Sequence, residues 1–352
     1  MTNLLILSSH GVLEYDDLRL FSRLGYDVFM PGGYADPRQG NEIRPGVPEA
    51  RYHPELVDLV QEQRERHAGE SQEWPIIDWG KADLHPALID WADVIMVNCF
   101  PESWIGMQWD RIREKRVIWR TIGQSDPSKE VLMSAYTRQG LQVVRYSPAE
   151  KRAFSRLGAF AGEDAMIRFG KDPADYGPWI GDRAVVGNLA QHDRVPHQRD
   201  AFINWDFVLE ATKGLPTDFV GVNSETSGGR GALDYDDLRD WLRHIRALVY
   251  TGTQPASYTL GLMEAMLAGT PVVPIGPEHM WLPDLFEAHE LVTTYYDAES
   301  ARTLALPRLL REPDRYWSEH MRKRAVELFS YETVGAQWLD FLGAPVRALV
   351  AA

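Results

Sequence analysis

Within Tyr258-Thr-Leu-Gly-Leu-Met-Glu-Ala-Met-Leu-Ala-Gly-Thr-Pro-Val-Val273 a single acid, Glu264, stands among apolar residues at helical spacing. Leu260, Met263, Met266 and Leu267 repeat along one helix face, and Gly269-Thr270-Pro271 stops the helix before the β-branched pair Val272-Val273. The order is loop, short buried helix, tight turn and strand. An α/β domain presents backbone amides and a carboxylate to a nucleotide diphosphate in this way, because the helix N-terminus favours an anion. A buried carboxylate is costly unless paired, so Glu264 requires a specific partner. The alternative is that Glu264 points outward or caps a neighbouring loop.

Other chemistry-bearing patterns are weaker. Asp234-Tyr-Asp236 has the spacing of a metal-diphosphate clamp, but it opens a helix where a clamp would end a strand. Acids at that place suit the helix dipole, as do Asp16-Asp17 near the first helix. The chain has no Gly-x4-Gly-Lys-Ser/Thr loop, no Gly-x-Ser-x-Gly elbow and no Gly-x-Gly-x-x-Gly after its first strand. The hydroxyls of Ser224-Glu-Thr-Ser-Gly-Gly229 belong to a loop.

The elements that must position these residues alternate. Leu4–Leu7 reads as a buried strand, Tyr15–Leu24 as a helix and Tyr26–Met30 as a second strand. After a Gly- and Pro-rich loop over 31–53 come helices at Pro54–Glu65 and His85–Trp91, then strand Asp93–Val97, helix Trp104–Arg113 and strand Arg116–Trp119. A helix at Lys129–Arg138 and strand Leu141–Arg145 complete the series, which implies a parallel sheet covered on both faces. Periodicity breaks at Gly170–Gly181 and restarts with strand Arg183–Gly187, helix Pro196–Thr212, strand Asp218–Val222, helix Tyr235–His244 and strand Ala247–Tyr250. Strand Pro271–Pro274 and helices at Ser300–Arg311, Asp314–Phe329 and Tyr331–Phe341 follow.

The expected organisation is therefore a domain over 1–170, a linker over 171–182, a second domain over 183–330 and a terminal helical segment over 331–352 that packs back on the first domain. Two Rossmann-like, doubly wound α/β domains are expected to face a cleft, with ligands at the carboxyl ends of the strands. A length of 352 residues suits two such cores, and 44% hydrophobic with 25% charged residues is the composition of a globular protein. No apolar run approaches the roughly 18 residues of a membrane span, and Met1–His10 has no signal-peptide pattern. Cys99, the one cysteine, excludes an internal disulfide and a cysteine metal cluster, and a cytoplasmic location is expected. A net charge of −14 argues against a surface devoted to nucleic acid, although Arg111, Arg113, Lys115, Arg116 and Arg120, or Lys151, Arg152 and Arg156, offer a local basic groove. The 12 tryptophans are scattered, so most are expected in cores.

The segment Arg246–Val273 resembles the donor-binding segment of retaining GT-B glycosyltransferases, family 4 in particular, which ends in Glu-Ala-Met-Ala-x-Gly-Thr-Pro-Val-Val. Asp297–Arg302, Leu309–Asp314 and Arg324–Glu332 are similar to that family's C-terminal ending. The resemblance implies that Glu264, the second acid of a Glu-x7-Glu pattern, accepts the ribose hydroxyls of a nucleotide. It implies that the amides of Tyr258, Thr259 and Leu260 face the diphosphate, with the Thr259 hydroxyl as a further donor, and that Arg194 and Arg199 reach the phosphates. The first acid of the pattern is replaced by Ala256, leaving Ser257, Gln254 or Thr253 to contact the sugar.

For the first domain the resemblance implies a small loop near the sugar phosphate at Ser8-Ser-His-Gly11, where Gly11 permits close approach. His10 is there either to touch donor or acceptor or as a satisfied structural group. The family's histidine at the end of a later strand has no counterpart near Val97–Phe100; Asn98, Glu102 and Ser103 occupy that rim, and Thr121 and Gln124 end the next strand. His10, Asn98 and Glu102 are thus the catalytic candidates. The implied activity is transfer of a sugar, of the hexosyl class, from a UDP- or GDP-linked donor, with retention and with no metal or other cofactor. The acceptor is expected to be a small molecule or glycan ahead of a hydroxymethylated DNA base. A nucleotide-sugar-binding protein without turnover is the remaining alternative, motivated by Ala256.

Overall fold

The computed structural model describes residues 2–41, 43–67, 84–123, 126–189, 205–252, 258–275, 285 and 297–344. The chain divides into two compact units, Met1–Gly170 with Tyr331–Ala352, and Lys171–Ser330.

The first unit holds a six-stranded sheet. Its strands are β1 (Asn3–Leu7), β2 (Asp27–Phe29), β3 (Val94–Val97), β4 (Arg116–Arg120), β5 (Gln142–Arg145) and β6 (Ala165–Met166). They lie in the order β2-β1-β3-β4-β5-β6, every pair parallel. Leu4 to Leu7 are fully buried, as expected where helices cover both faces. One face, with Leu5, Leu7, Ile95, Val97 and Trp119, packs with Trp104 and Trp109. The chain runs from β1 to β2 on one side and resumes at β3 on the other, so β1 and β3 flank the topological switch point. Their carboxyl ends are where such a sheet receives ligands.

The helices that connect these strands are α1 (Gly11–Arg23), α2 (Pro54–His67), α3 (Pro86–Trp91), α4 (Trp109–Ile112), α5 (Pro127–Thr137) and α6 (Pro148–Arg156). Three differ from the sequence expectation. Helix α1 begins at Gly11, four residues before Tyr15, because His10 enters it from an extended conformation. The single helix expected over Trp104–Arg113 is a π-helical turn, Glu102–Gly106, followed by the short α4. Helix α6, polar in composition, was not expected; Ser147 caps it by accepting the Ala149 N–H, and Ala149, Glu150 and Phe154 are its buried residues.

The helix Tyr331–Leu342 completes this unit. Trp338 is fully buried with its ring 5.1 Å from Phe21, and the Tyr331 hydroxyl donates to the Asp16 carbonyl at 3.0 Å. Arg116 donates to the carbonyls of Phe341 and Leu342, and the Tyr26 hydroxyl to that of Gly343. These bonds satisfy carbonyls that a helix C-terminus leaves without intrahelical partners.

The second unit has four parallel strands, β7 (Arg183–Leu189), β8 (Thr217–Val220), β9 (Ile245–Tyr250) and β10 (Val272–Pro274), in the order β10-β9-β7-β8. Here β7 and β9 flank the switch point. Val186, Ala247, Val249 and Val273 pack with Val208 of the helix Trp205–Thr212, whose expected extension back to Pro196 lies outside the described residues. Gly187 permits a close crossing: a Cβ there would stand 2.5 Å from Ile245 Cδ1 and 2.7 Å from Trp241 Cζ2. No helix among the described residues is long and apolar enough to cross a membrane.

Candidate functional site

In the second unit the switch-point element is the helix Leu260–Ala268, which follows β9 and ends on Gly269 in the left-handed conformation at φ 79°. Glycine is required there, since a Cβ would also stand 2.7 Å from Ser318 Oγ. Glu264 lies on this helix and is buried. Its carboxylate has a protein partner that the sequence did not disclose: Lys171 Nζ donates to Glu264 Oε1 at 2.7 Å, with the two side chains 1% and 4% exposed. The partners are 93 positions apart, and a single lysine in the Gly-Pro-rich stretch after Gly170 gives no periodic signal.

The first turn of the helix is partly committed. The Thr259 N–H donates to the Tyr250 hydroxyl at 3.0 Å, and Thr259 Oγ1 caps the helix by accepting the Leu262 N–H at 3.3 Å. The Thr259 amide is thus committed to Tyr250 and its hydroxyl oxygen to Leu262. Burial pushes the Tyr250 phenol well above its ordinary range, so it stays protonated while accepting that bond. Tyr258 is buried, its ring 5.7 Å from that of Phe329. Among the described residues, the amides of Leu260 and Gly261 carry no hydrogen-bond acceptor, and they head the helix at its positive end. Gly261 brings this end close to the tip of β7, where a Cβ would meet Leu189 Cδ2 at 2.8 Å. Arg194, Arg199, Ala256 and Ser257, with Thr253 and Gln254, lie outside the described residues.

In the first unit His10 and Gly11 follow β1, and Asn98 and Glu102 follow β3, so the four stand at the two strand ends that flank the switch point. His10 is half-buried and its N–H donates to Ser8 Oγ at 3.3 Å. A Cβ on Gly11 would lie 2.8 Å from Asn41 Nδ2, which donates to the Gly11 carbonyl. Asn98 is buried and donates to Asp17 Oδ2 at 3.1 Å, so its amide group is a brace between β3 and α1. Glu102 is half-exposed, with Lys129 Nζ 3.7 Å away. Between them Phe100 takes a φ of 48°, a conformation costly for a side chain with a Cβ, and keeps its ring 47% exposed just before Pro101.

Two carboxyls at the same sheet edge escaped the sequence reading. Glu14, in the first turn of α1, is pushed up to about 7 by burial, opposed by the Gly33 N–H and reinforced by Asp17. Its carboxyl fills the space beside Gly32, where a Cβ would stand 2.6 Å from Oε1. Glu150, in the first turn of α6, is also pushed up to about 7 by burial, opposed by Arg145 and by the Thr121 hydroxyl, which donates to Oε2 at 2.5 Å. Thr121 is thus held by Glu150. Of Arg111, Arg113, Lys115, Arg116 and Arg120, Arg120 is buried against Asp17 and Arg116 caps the closing helix, while Arg111 is exposed and bonds Gln108 and the Leu84 carbonyl.

Sucrose-phosphate synthase from Thermosynechococcus elongatus superposes with a TM-score of 0.64 over 100% of both chains at 16% identity. Anabaena HepE in complex with UDP-glucose gives 0.64 at 15% identity, covering 98% of this chain and 100% of that one. A glycosyltransferase from Rickettsia africae gives 0.59 at 11% identity over 97% of each. The fold is GT-B. No protein-family model and no curated protein matches the chain. At such identities the GT-B likeness establishes architecture, and the chemistry must come from this chain's own residues.

Proposed function

We propose that the protein is a glycosyltransferase that moves a hexose from a nucleoside diphosphate sugar to an acceptor hydroxyl, with retention and without a metal. The reading is carried by one observation: a buried carboxylate, Glu264, on the helix that opens at the β9 switch-point edge of a GT-B fold. In this reading the ribose hydroxyls donate to Glu264, and the diphosphate meets the helix N-terminus at the amides of Leu260 and Gly261. Arg194 and Arg199 supply the opposing charge. The acceptor oxygen forms a bond to the anomeric carbon, the bond from that carbon to the diphosphate breaks, and a donor phosphate oxygen takes the acceptor proton. Positioning and stabilisation of the departing diphosphate then account for the rate.

UDP is the first donor nucleotide to test, because HepE of the same fold was solved with UDP-glucose. A small molecule or glycan fits as acceptor better than DNA, given the net charge of −14 and the internal commitments of Arg116 and Arg120.

A thermal-shift series with UDP and GDP tests the donor site. A nucleotide at one hundred times its Kd stabilises the folded state by about 2.7 kcal/mol, which raises Tm by several degrees. The Glu264→Ala variant should lose that rise. No shift with either nucleotide rejects the assignment. The replacement of the first acid by Ala256 supports a second reading, binding without turnover. Incubation with UDP-glucose separates the two, since release of glucose or its transfer requires the enzyme.

A further inference from the structure

We infer that Lys171 is a positioning residue for nucleotide recognition, aiming the Glu264 carboxylate at the ribose. This rests on the nucleotide-sugar reading above.

The ion pair is a poor device for stability alone. A buried pair must recover the desolvation of two charges, and apolar residues of similar volume usually serve as well or better. Its value lies in direction. Lys171 is anchored through its backbone: its N–H donates to the Phe329 carbonyl at 2.7 Å, and it forms a parallel bridge with Ser330. The lysine side chain is itself buried, so packing leaves its ammonium little freedom and holds the oxygen that accepts from it.

The same short stretch also sets the start of the helix. The ring of Phe329, whose carbonyl holds Lys171, lies beside Tyr258, the residue before the Thr259 cap. Lys171 and Phe329 together therefore locate the capped N-terminus and the acid on the following turns. An ionised carboxylate offers about four acceptor positions, so an ammonium at Oε1 and a pair of vicinal hydroxyls are compatible on one group.

A ribose-directed role is distinguished from packing by the preference for UDP over 2′-deoxy-UDP, measured by titration calorimetry. The wild type should prefer UDP by about tenfold, the worth of a charge-assisted hydrogen bond. In Lys171→Met the preference should fall close to one, and Lys171→Arg should recover most of it. Should Lys171→Met fold poorly, the Lys171→Met/Glu264→Gln double variant removes both charges together and should show the same loss of preference at a higher Tm. A folded Lys171→Met or double variant that keeps the tenfold preference overturns the inference. So does equal weakening of both ligands with their ratio intact, since that is a packing effect. A wild type that binds UDP and 2′-deoxy-UDP equally removes the ribose from Glu264 and overturns it too. If the wild type binds neither UDP nor GDP, the nucleotide-sugar reading itself falls, and this inference with it.

Discussion

Arg120 NH1 donates to both carboxylate oxygens of Asp17, at 2.5 and 2.6 Å, with neither side chain more than 1% exposed. The guanidinium lies over the rings of Phe169 and Trp338, 4.9 and 5.3 Å from their centroids, while Asp17 also holds Asn98. One ion pair thereby ties α1 to the carboxyl ends of β3 and β4, the strands that carry the candidate rim.

Removing one partner leaves a buried charge uncompensated. Arg120→Met is expected to cost about 3–5 kcal/mol, read as a lower urea midpoint, whereas Asp17→Leu combined with Arg120→Met should cost less than either alone. A double variant as unstable as the sum of the single ones would show that the pair is not a coupled unit.

Glu14 and Glu150 give stability a pH dependence of known sign. Each carboxyl rises from an ordinary 4.5 to about 7 on folding, so the native state binds the proton more tightly than the unfolded chain. Each contribution, of order 3 kcal/mol, is present below pH 4.5 and is lost as pH rises through 7. Unfolding midpoints at pH 5 and pH 8 check this. Glu14→Gln and Glu150→Gln should each flatten the decline, and an unchanged slope in both would mean that neither group titrates there.

Gly187→Ala tests the crossing of β7 beneath Trp241. The indole cannot swing aside, because Trp241 Nε1 donates to Asp218 Oδ2 at 3.1 Å. The added methyl should destabilise the second unit by about 1–3 kcal/mol, seen as a Tm lowered by several degrees. A variant that melts with the wild type would show that the strand has room to spare.

Phe100 bears a conformation that favours glycine. Phe100→Gly is expected to stay within about 1 kcal/mol of wild type, relief of strain offsetting the added freedom of the unfolded chain. Phe100→Ile, β-branched at a positive φ, should lose roughly 1–3 kcal/mol. Melting temperatures in the reverse order would contradict the left-handed assignment.

Continuous apolar runs made the sheets legible: Leu4–Leu7, Asp93–Val97 and Arg116–Trp119 read as buried strands, and the strands run over Asn3–Leu7, Val94–Val97 and Arg116–Arg120. Asp234 opens its helix by accepting the Asp237 N–H, as the dipole argument requires. Polar α6 and the two-residue β6 were not legible, since the one has few apolar residues and the other is too short to show alternation. The position of Glu264 on a buried helix could be read from spacing, but its partner could not. An ion pair between residues 93 apart leaves no local pattern, and the raised carboxyls of Glu14 and Glu150 depend on burial that only the assembled sheet creates.

The helix Tyr331–Leu342 supplies Trp338 to the first unit and takes hydrogen bonds from Arg116, while Tyr26 bonds Gly343 just after it. On the ribosome, residues 1–170 emerge long before it does. The nascent first unit must therefore wait with Phe21 and the flank of α1 uncovered while the whole of Lys171–Ser330 is synthesised. The first unit is finished only after the second has been made, and its completion certifies that translation has passed residue 342.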